Sequence, residues 1–253
     1  MHNLFLRTAV ASFLVSLGAS AIAQNQTPTQ LAQQKEDSAL AHVELAASYY
    51  QAGRVEIAQE ELTRILSKDP QNSAANDLQG LLYQKTGNLS QAENSFRTAI
   101  TTNPANSSAQ TNYGTLLCQS GRYDAGMEAY GKALQTPTHI QVSHTLVNGG
   151  ICLTQKGDYS GSEKFLLKAL EQEPFMPAAL YQLARVYYAT QRFDQADSRL
   201  TALHKQVEPN AASMLLMYQL AVGEGKQDQA RVLAQKIQTR FADSPEAQQI
   251  KNR

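Results

Sequence analysis

Four glycines, Gly53, Gly87, Gly121 and Gly157, recur at intervals of 34, 34 and 36 residues, and no other feature constrains the fold of this chain as tightly. Each closes a segment with helical apolar spacing, at the place where a residue free to adopt positive φ ends a helix. A period of that length holds one pair of helices, and a pair cannot bury its apolar face alone. Successive pairs must therefore stack into an array.

The second half of every period supports this. A small residue stands near its middle, at Ala58, Ala92, Gly126, Ser162, Ala196 and Ala230, where two helices have to approach closely. Four positions later, on the same helix face, come Leu62, Phe96, Tyr130, Leu166 and Leu200. Pro70, Pro104 and Pro174 close three of the first four blocks, because proline cannot continue a helix. The blocks run 39–72, 73–106, 107–140, 143–176, 177–210 and 211–244, which predicts six helix pairs. The two-residue offset before the fourth falls in Thr136-Pro137-Thr138-His139-Ile140, a lengthened loop. Fidelity falls toward the end: Gln191 holds the turn position of the fifth block, and the sixth is weak, as expected of a terminal repeat with a more polar outer face.

The first 23 residues read as a secretory signal peptide. Arg7 precedes an apolar run from Thr8 to Gly18, and Ala21-Ile22-Ala23 supplies small residues for cleavage between Ala23 and Gln24. The run is shorter than the ~20 residues that span a bilayer. Residues 24–38 carry few large apolar side chains and are expected to form a flexible linker, followed by the repeat domain over 39–253. With 22 basic and 22 acidic residues, nothing points to nucleic acid or to an anionic membrane surface, so the expected partners are proteins.

Export also bears on the two cysteines, since it places them where a disulfide can persist. Cys118 and Cys152 lie in two glycine-closed segments, 112–123 and 148–159, on the first helices of the third and fourth blocks. Those helices stack side by side. Gly114, Gly149 and Gly150 are expected to let them approach within the ~4.4–6.8 Å that a disulfide requires between Cα atoms. A structural disulfide is the leading expectation, with two buried free thiols or a redox pair as the alternatives.

These blocks resemble tetratricopeptide (TPR) repeats. The resemblance narrows further at Asn112-Tyr113-Gly114 before Cys118, at Asn148 and Gly150-Ile151-Cys152 with Lys156-Gly157-Asp158, and at Pro174 and Leu183-Ala184. On these residues the chain resembles the PilF/PilW family of type IV pilus biogenesis and stability proteins, and the paired cysteines resemble the PilW branch in particular. The resemblance covers residues 39 to about 245. It implies an all-α fold, a right-handed superhelix of about six TPR helix pairs. It further implies a monomeric, non-catalytic periplasmic factor that assists secretin multimerisation or localisation, or pilus stability. The implied partner is the type IV pilus secretin or another pilus-assembly component, with a possible association with the outer membrane. Most members carry a lipid-accepting cysteine directly after the signal. The junction Ala21-Ile22-Ala23-Gln24 has none, so lipid anchoring is not expected. A general periplasmic scaffold for another envelope assembly or export complex is the alternative reading.

No catalytic constellation emerges. The histidines His2, His42, His139, His144 and His204 form no HExxH, and two cysteines a whole repeat apart are not a zinc knuckle. No metal, cofactor or small-molecule substrate is expected, and the chain does not read as an enzyme. His139 and His144 read as solvated loop residues. In tetratricopeptide arrays the first helices line the concave face, with positions 2, 5, 9, 12 and 13 of each block pointing into it. Here that places Val43, Asp77, Thr111 and Val147 on the lining. The candidate binding set on that face is Tyr50, Lys85, Tyr181, Arg185 and Tyr188, residue types that combine large contact area with a polar tip. Tyr49 and Tyr187 are assigned to the core.

Overall fold

The recurring glycines adopt the conformation their spacing predicts. Gly53, Gly87, Gly121 and Gly157 have φ of 74°, 80°, 76° and 88°, and Gly225 forms the turn after the first helix of the sixth block in the same way at 73°. The computed structural model describes residues 27–251, with side chains from residue 39 onward apart from Thr27. The expected signal peptide and the Ala23–Gln24 junction lie outside the described residues.

Thirteen helices make up the described fold, in six antiparallel pairs and a short final helix. The pairs are α1 (Pro28–Gln51) with α2 (Val55–Lys68), α3 (Ser73–Lys85) with α4 (Leu89–Thr102), and α5 (Ser107–Gln119) with α6 (Tyr123–Gln135). They continue with α7 (Val142–Lys156) and α8 (Tyr159–Gln172), α9 (Pro177–Ala189) and α10 (Phe193–His204), and α11 (Ala211–Gly223) and α12 (Gln227–Arg240). The last helix is α13 (Pro245–Lys251). Each first helix packs on its own partner and on the next first helix, and each second helix packs on the first helix that follows it. The fold is an all-α tetratricopeptide superhelix with the first helices as its inner layer.

The core repeats with the period. Ala58, Ala92, Ser162 and Ala196 are fully buried, as are Leu62, Phe96 and Leu166, with Tyr130 and Leu200 at 1% exposure. Between pairs, the loops repeat their chemistry too. Asn72 and Asn106 cap α3 and α5 by accepting from the amides of Ala75 and Ala109 at 3.0 and 2.9 Å. The same Asn106 donates to Ser73, whose hydroxyl donates to the Ala99 carbonyl, so one loop is tied to the next. On the outer side, Arg122 and Arg192 make two-pronged bonds to Glu93 and Glu163 of the preceding repeat at 2.7 to 3.0 Å.

The structure corrects two expectations. Residues 28–38 are not a flexible linker but the start of α1. Proline stands at the first helical position, and no glycine or proline interrupts the Gln-, Ala- and Glu-rich stretch from there to the turn. Beyond the sixth pair, α13 is an element without a sequence signal strong enough to predict it. Its Ala247 and Ile250 bury against Met214, Ala230, Leu233 and Ile237, in the place a seventh first helix would take.

Gln191 holds the glycine position of the fifth turn at φ 58°, where a Cβ is strained. Gln191→Gly is expected to stabilise the protein by about 0.5–1 kcal/mol, seen as a higher urea midpoint at unchanged slope. Gly121→Gln is expected to lower the midpoint.

Candidate functional site

The inner layer decides which side chains a partner can reach. Position 5 of the first four blocks, read from the sequence as lining the concave face, is instead enclosed between neighbouring first helices. Val43, Asp77, Thr111 and Val147 are all buried, at 3 to 8% exposure. The helices approach closely enough to swallow a small or medium side chain there. Tyr181, at the same position of the fifth block, is too large to be enclosed and stays half-buried.

Two of these enclosed positions carry polar contacts between repeats. Asn112 donates to Asp77 at 2.8 Å, joining α5 to α3. Thr111 and Thr145 bond at 2.9 Å, and His139 bonds to Thr145 at 2.8 Å. Because the Thr111 hydroxyl donates to the Ser107 carbonyl, Thr145 donates to Thr111 and the imidazole Nε2–H donates to Thr145. His139 is therefore not a solvated loop residue: it is half-buried and fixes the lengthened loop, and burial lowers its pKa. His144 is exposed as expected. Among the described residues no group of histidine, cysteine and acidic side chains could hold a metal ion.

The five candidate binding residues fall into three places. Tyr50 of α1 and Lys85 of α3 meet, the ammonium 4.9 Å from the ring centroid, which joins the first two repeats. Tyr188 packs its ring 6.0 Å from that of Phe193, as part of the contact between α9 and α10. Tyr181 and Arg185 stand one turn apart on α9, the guanidinium carbon 6.0 Å from the ring centroid. They form one wall of a cleft of about 220 Å³ whose other walls are Ala212, Leu215, Leu216 and Gln219 of α11 and Glu246 of α13. Burial is the main reason that the Tyr181 hydroxyl titrates above its usual range. Of the two tyrosines assigned to the core, Tyr187 is 2% exposed, whereas Tyr49 is half-buried beneath Arg54.

The α11 wall is missing from the sequence reading although its signal was present. Ala212, Leu215 and Gln219 occupy positions 2, 5 and 9 of the sixth block, the rule already applied to the other five. Glu246 had no comparable signal, because its helix lies outside the repeat pattern.

The cysteines stand on the inner layer as expected, Cys118 on α5 and Cys152 on α7, with Cα atoms 5.5 Å apart and the sulfurs at disulfide distance. Their exposures are 4% and 1%, and Tyr130 packs against both. The glycines nearby act differently from the expectation. Added Cβ atoms at Gly149 and Gly150 would strike Phe165 and Leu166 of α8, and one at Gly114 would strike Tyr130 of α6. They admit their own second helices rather than the neighbouring first helix. The glycine that makes room for the sulfurs is Gly126 of α6, where a Cβ would collide with the Cys118 Sγ.

This stack defines the chain as a tetratricopeptide-repeat protein, a class built for protein–protein contact, and models of the tetratricopeptide repeat match residues 78–138 and 153–216. Within that class the chain resembles the PilF/PilW proteins. It is similar to the crystal structure of PilW, described as a widely conserved type IV pilus biogenesis factor. The two share 27% identity over 84% of this chain and 98% of that one, with a TM-score of 0.79. The Pseudomonas aeruginosa PilF structure shares the fold at 21% identity and a TM-score of 0.75, over 87% and 99% of the two chains. So does a tetratricopeptide protein from Parabacteroides merdae, at 17% identity and 0.65, over 98% and 93%. No curated protein sequence matches the chain.

Asp77 offers a test of the inner-layer geometry. Burial raises its pKa above 3.8, opposed by the hydrogen bonds from Asn112 and Ser108. The folded state then holds the proton more tightly than the unfolded one, so this residue's contribution to stability falls as pH rises from about 3.8 through its folded pKa. Asp77→Asn is expected to raise the urea midpoint at pH 7 and to narrow the difference between pH 7 and pH 4. An equal loss at both pH values would contradict the buried carboxylate.

Proposed function

We propose that this protein is a non-catalytic assembly factor for type IV pili. It is exported by the segment 1–23 and works as a monomer in the periplasm, where it holds the secretin or another pilus-assembly component on its first-helix face. The single observation that carries this reading is the likeness to PilW, at 27% identity over nearly the whole of that chain. A general tetratricopeptide scaffold would share the helix pairs without needing to share identity along their length. The binding residues in this reading are Tyr181 and Arg185 with the α11 wall, and Tyr50 with Lys85 as a second contact nearer the N-terminus.

Two features complete the proposal. In the oxidising periplasm Cys118 and Cys152 form a disulfide that joins the third and fourth repeats across the lengthened loop. The second feature is the junction Ala23–Gln24, at which the proposed signal is removed.

A deletion strain tests this reading. Surface pili and heat-stable secretin multimers are expected to be lost, to return with the wild-type gene, and to return poorly with the Tyr181→Ala/Arg185→Ala double variant at equal protein level. Normal piliation and normal multimers in the deletion strain would remove the pilus reading. They would leave a scaffold for another envelope complex.

A further inference from the structure

We propose that the cleft between α9, α11 and α13 recognises a short linear peptide segment of the partner, in which a large apolar side chain lies next to an Asp or Glu. This deepens, and rests on, the reading of the first-helix face as the partner-binding face. Three properties of the cleft select that ligand. Its lining mixes the apolar side chains of Ala212, Leu215 and Leu216 with the polar ones of Tyr181, Gln219, Arg185 and Glu246, and its volume of about 220 Å³ admits one leucine- or phenylalanine-sized side chain beside a polar group. An apolar cavity of about 150 Å³ already accepts a benzene ring. Its rim carries a cation without a carboxylate partner: Arg185 is exposed, is steadied by the Gln182 side chain at 3.1 Å, and enters no ion pair among the described residues. A guanidinium held in this way presents free donors to a carboxylate.

The third property is the opposite charge on the far wall. Glu246 lines the same cleft and forms no ion pair with Arg185 among the described residues, so the two do not neutralise each other across it. A bound carboxylate is drawn to the α9 side and repelled from the α13 side, which orients the segment. Helix α13 therefore does two things. Its Ala247 and Ile250 close the end of the superhelix, and its Glu246 turns the last groove into a polarised site.

The experiment pans a phage-displayed library of random dodecapeptides on the mature protein, residues 24–253, and measures the affinity of a selected peptide by fluorescence anisotropy. The expected consensus pairs Leu, Ile, Met or Phe with Asp or Glu within two positions. Arg185→Ala is expected to weaken binding at least tenfold and Arg185→Lys by less. Glu246→Gln is expected to strengthen binding about two- to threefold at low salt, with the gain shrinking as salt is added. Repeating the selection on Arg185→Glu is expected to replace the acidic residue with a basic one. A library that yields no such consensus, an Arg185→Ala affinity within twofold of wild type, or a weakening by Glu246→Gln would overturn the proposal. The pilus reading fails separately: a deletion strain with normal secretin multimers removes it whether or not the peptide binds.

Discussion

In the second, third and fourth pairs a large side chain on the second helix rests on a glycine of the first, and the array depends on that contact. Phe96 packs over Gly80, Tyr130 over Gly114 and Leu166 over Gly150, so closely that an added Cβ at Gly114 or Gly150 would lie 2.8 Å from the ring or branch above it. Ala92, Gly126 and Ser162 do the same service in return, four residues before each large side chain. Interiors packed this tightly hold their geometry, so each of these pairs is a fixed unit. The inner layer, and with it the face a partner can reach, is built on those units.

The third junction differs from the others in what its inner layer carries. The loop from Thr136 to Gln141 is longer than those at 69–72, 103–106 and 173–176 and as long as that at 205–210, and Ile140 within it is 93% exposed, so the loop adds little apolar burial of its own. Two links cross the junction in the inner layer. One is the bond between Thr111 and Thr145, backed by His139, and the other is the contact between Cys118 and Cys152. Repeat arrays are nearly one-dimensional, with each unit held only by its neighbours. In the proposed disulfide-bonded protein, a covalent link at this junction joins the repeats on either side of it. The Tyr50–Lys85 contact and the α9–α11–α13 cleft lie on opposite sides of this junction, so a partner that touches both depends on it.

Much of this was legible in the sequence, and for a simple reason. Positive-φ turns, small residues at close approaches and prolines after helices are local demands, and each leaves its own residue type at a fixed interval. Glycine at 53, 87, 121 and 157 and the Ala58 and Leu62 series could be read directly. What escaped depends on distances between repeats. The burial of Asp77 and Thr111 follows from how near neighbouring first helices stand, which no single block encodes. The roles of Gly114 and Gly150 were assigned to the wrong neighbour for the same reason: a missing side chain shows that something comes close without showing what. The α11 wall of the cleft obeys the same positional rule, in a sixth block that matches the repeat poorly. Helix α13, with Glu246, follows from the need to cover the exposed apolar end of the stack and has no periodic signature.

Urea unfolding of the oxidised and the reduced protein, followed by helical circular dichroism, tests most directly the claim that one covalent link makes the array a single unit. The oxidised chain is expected to unfold in one transition. Reduction is expected to cost on the order of 3–4 kcal/mol and to split the transition in two, with the repeats on either side of the third junction melting separately. A reduced protein that unfolds in one transition at the oxidised midpoint would contradict the account.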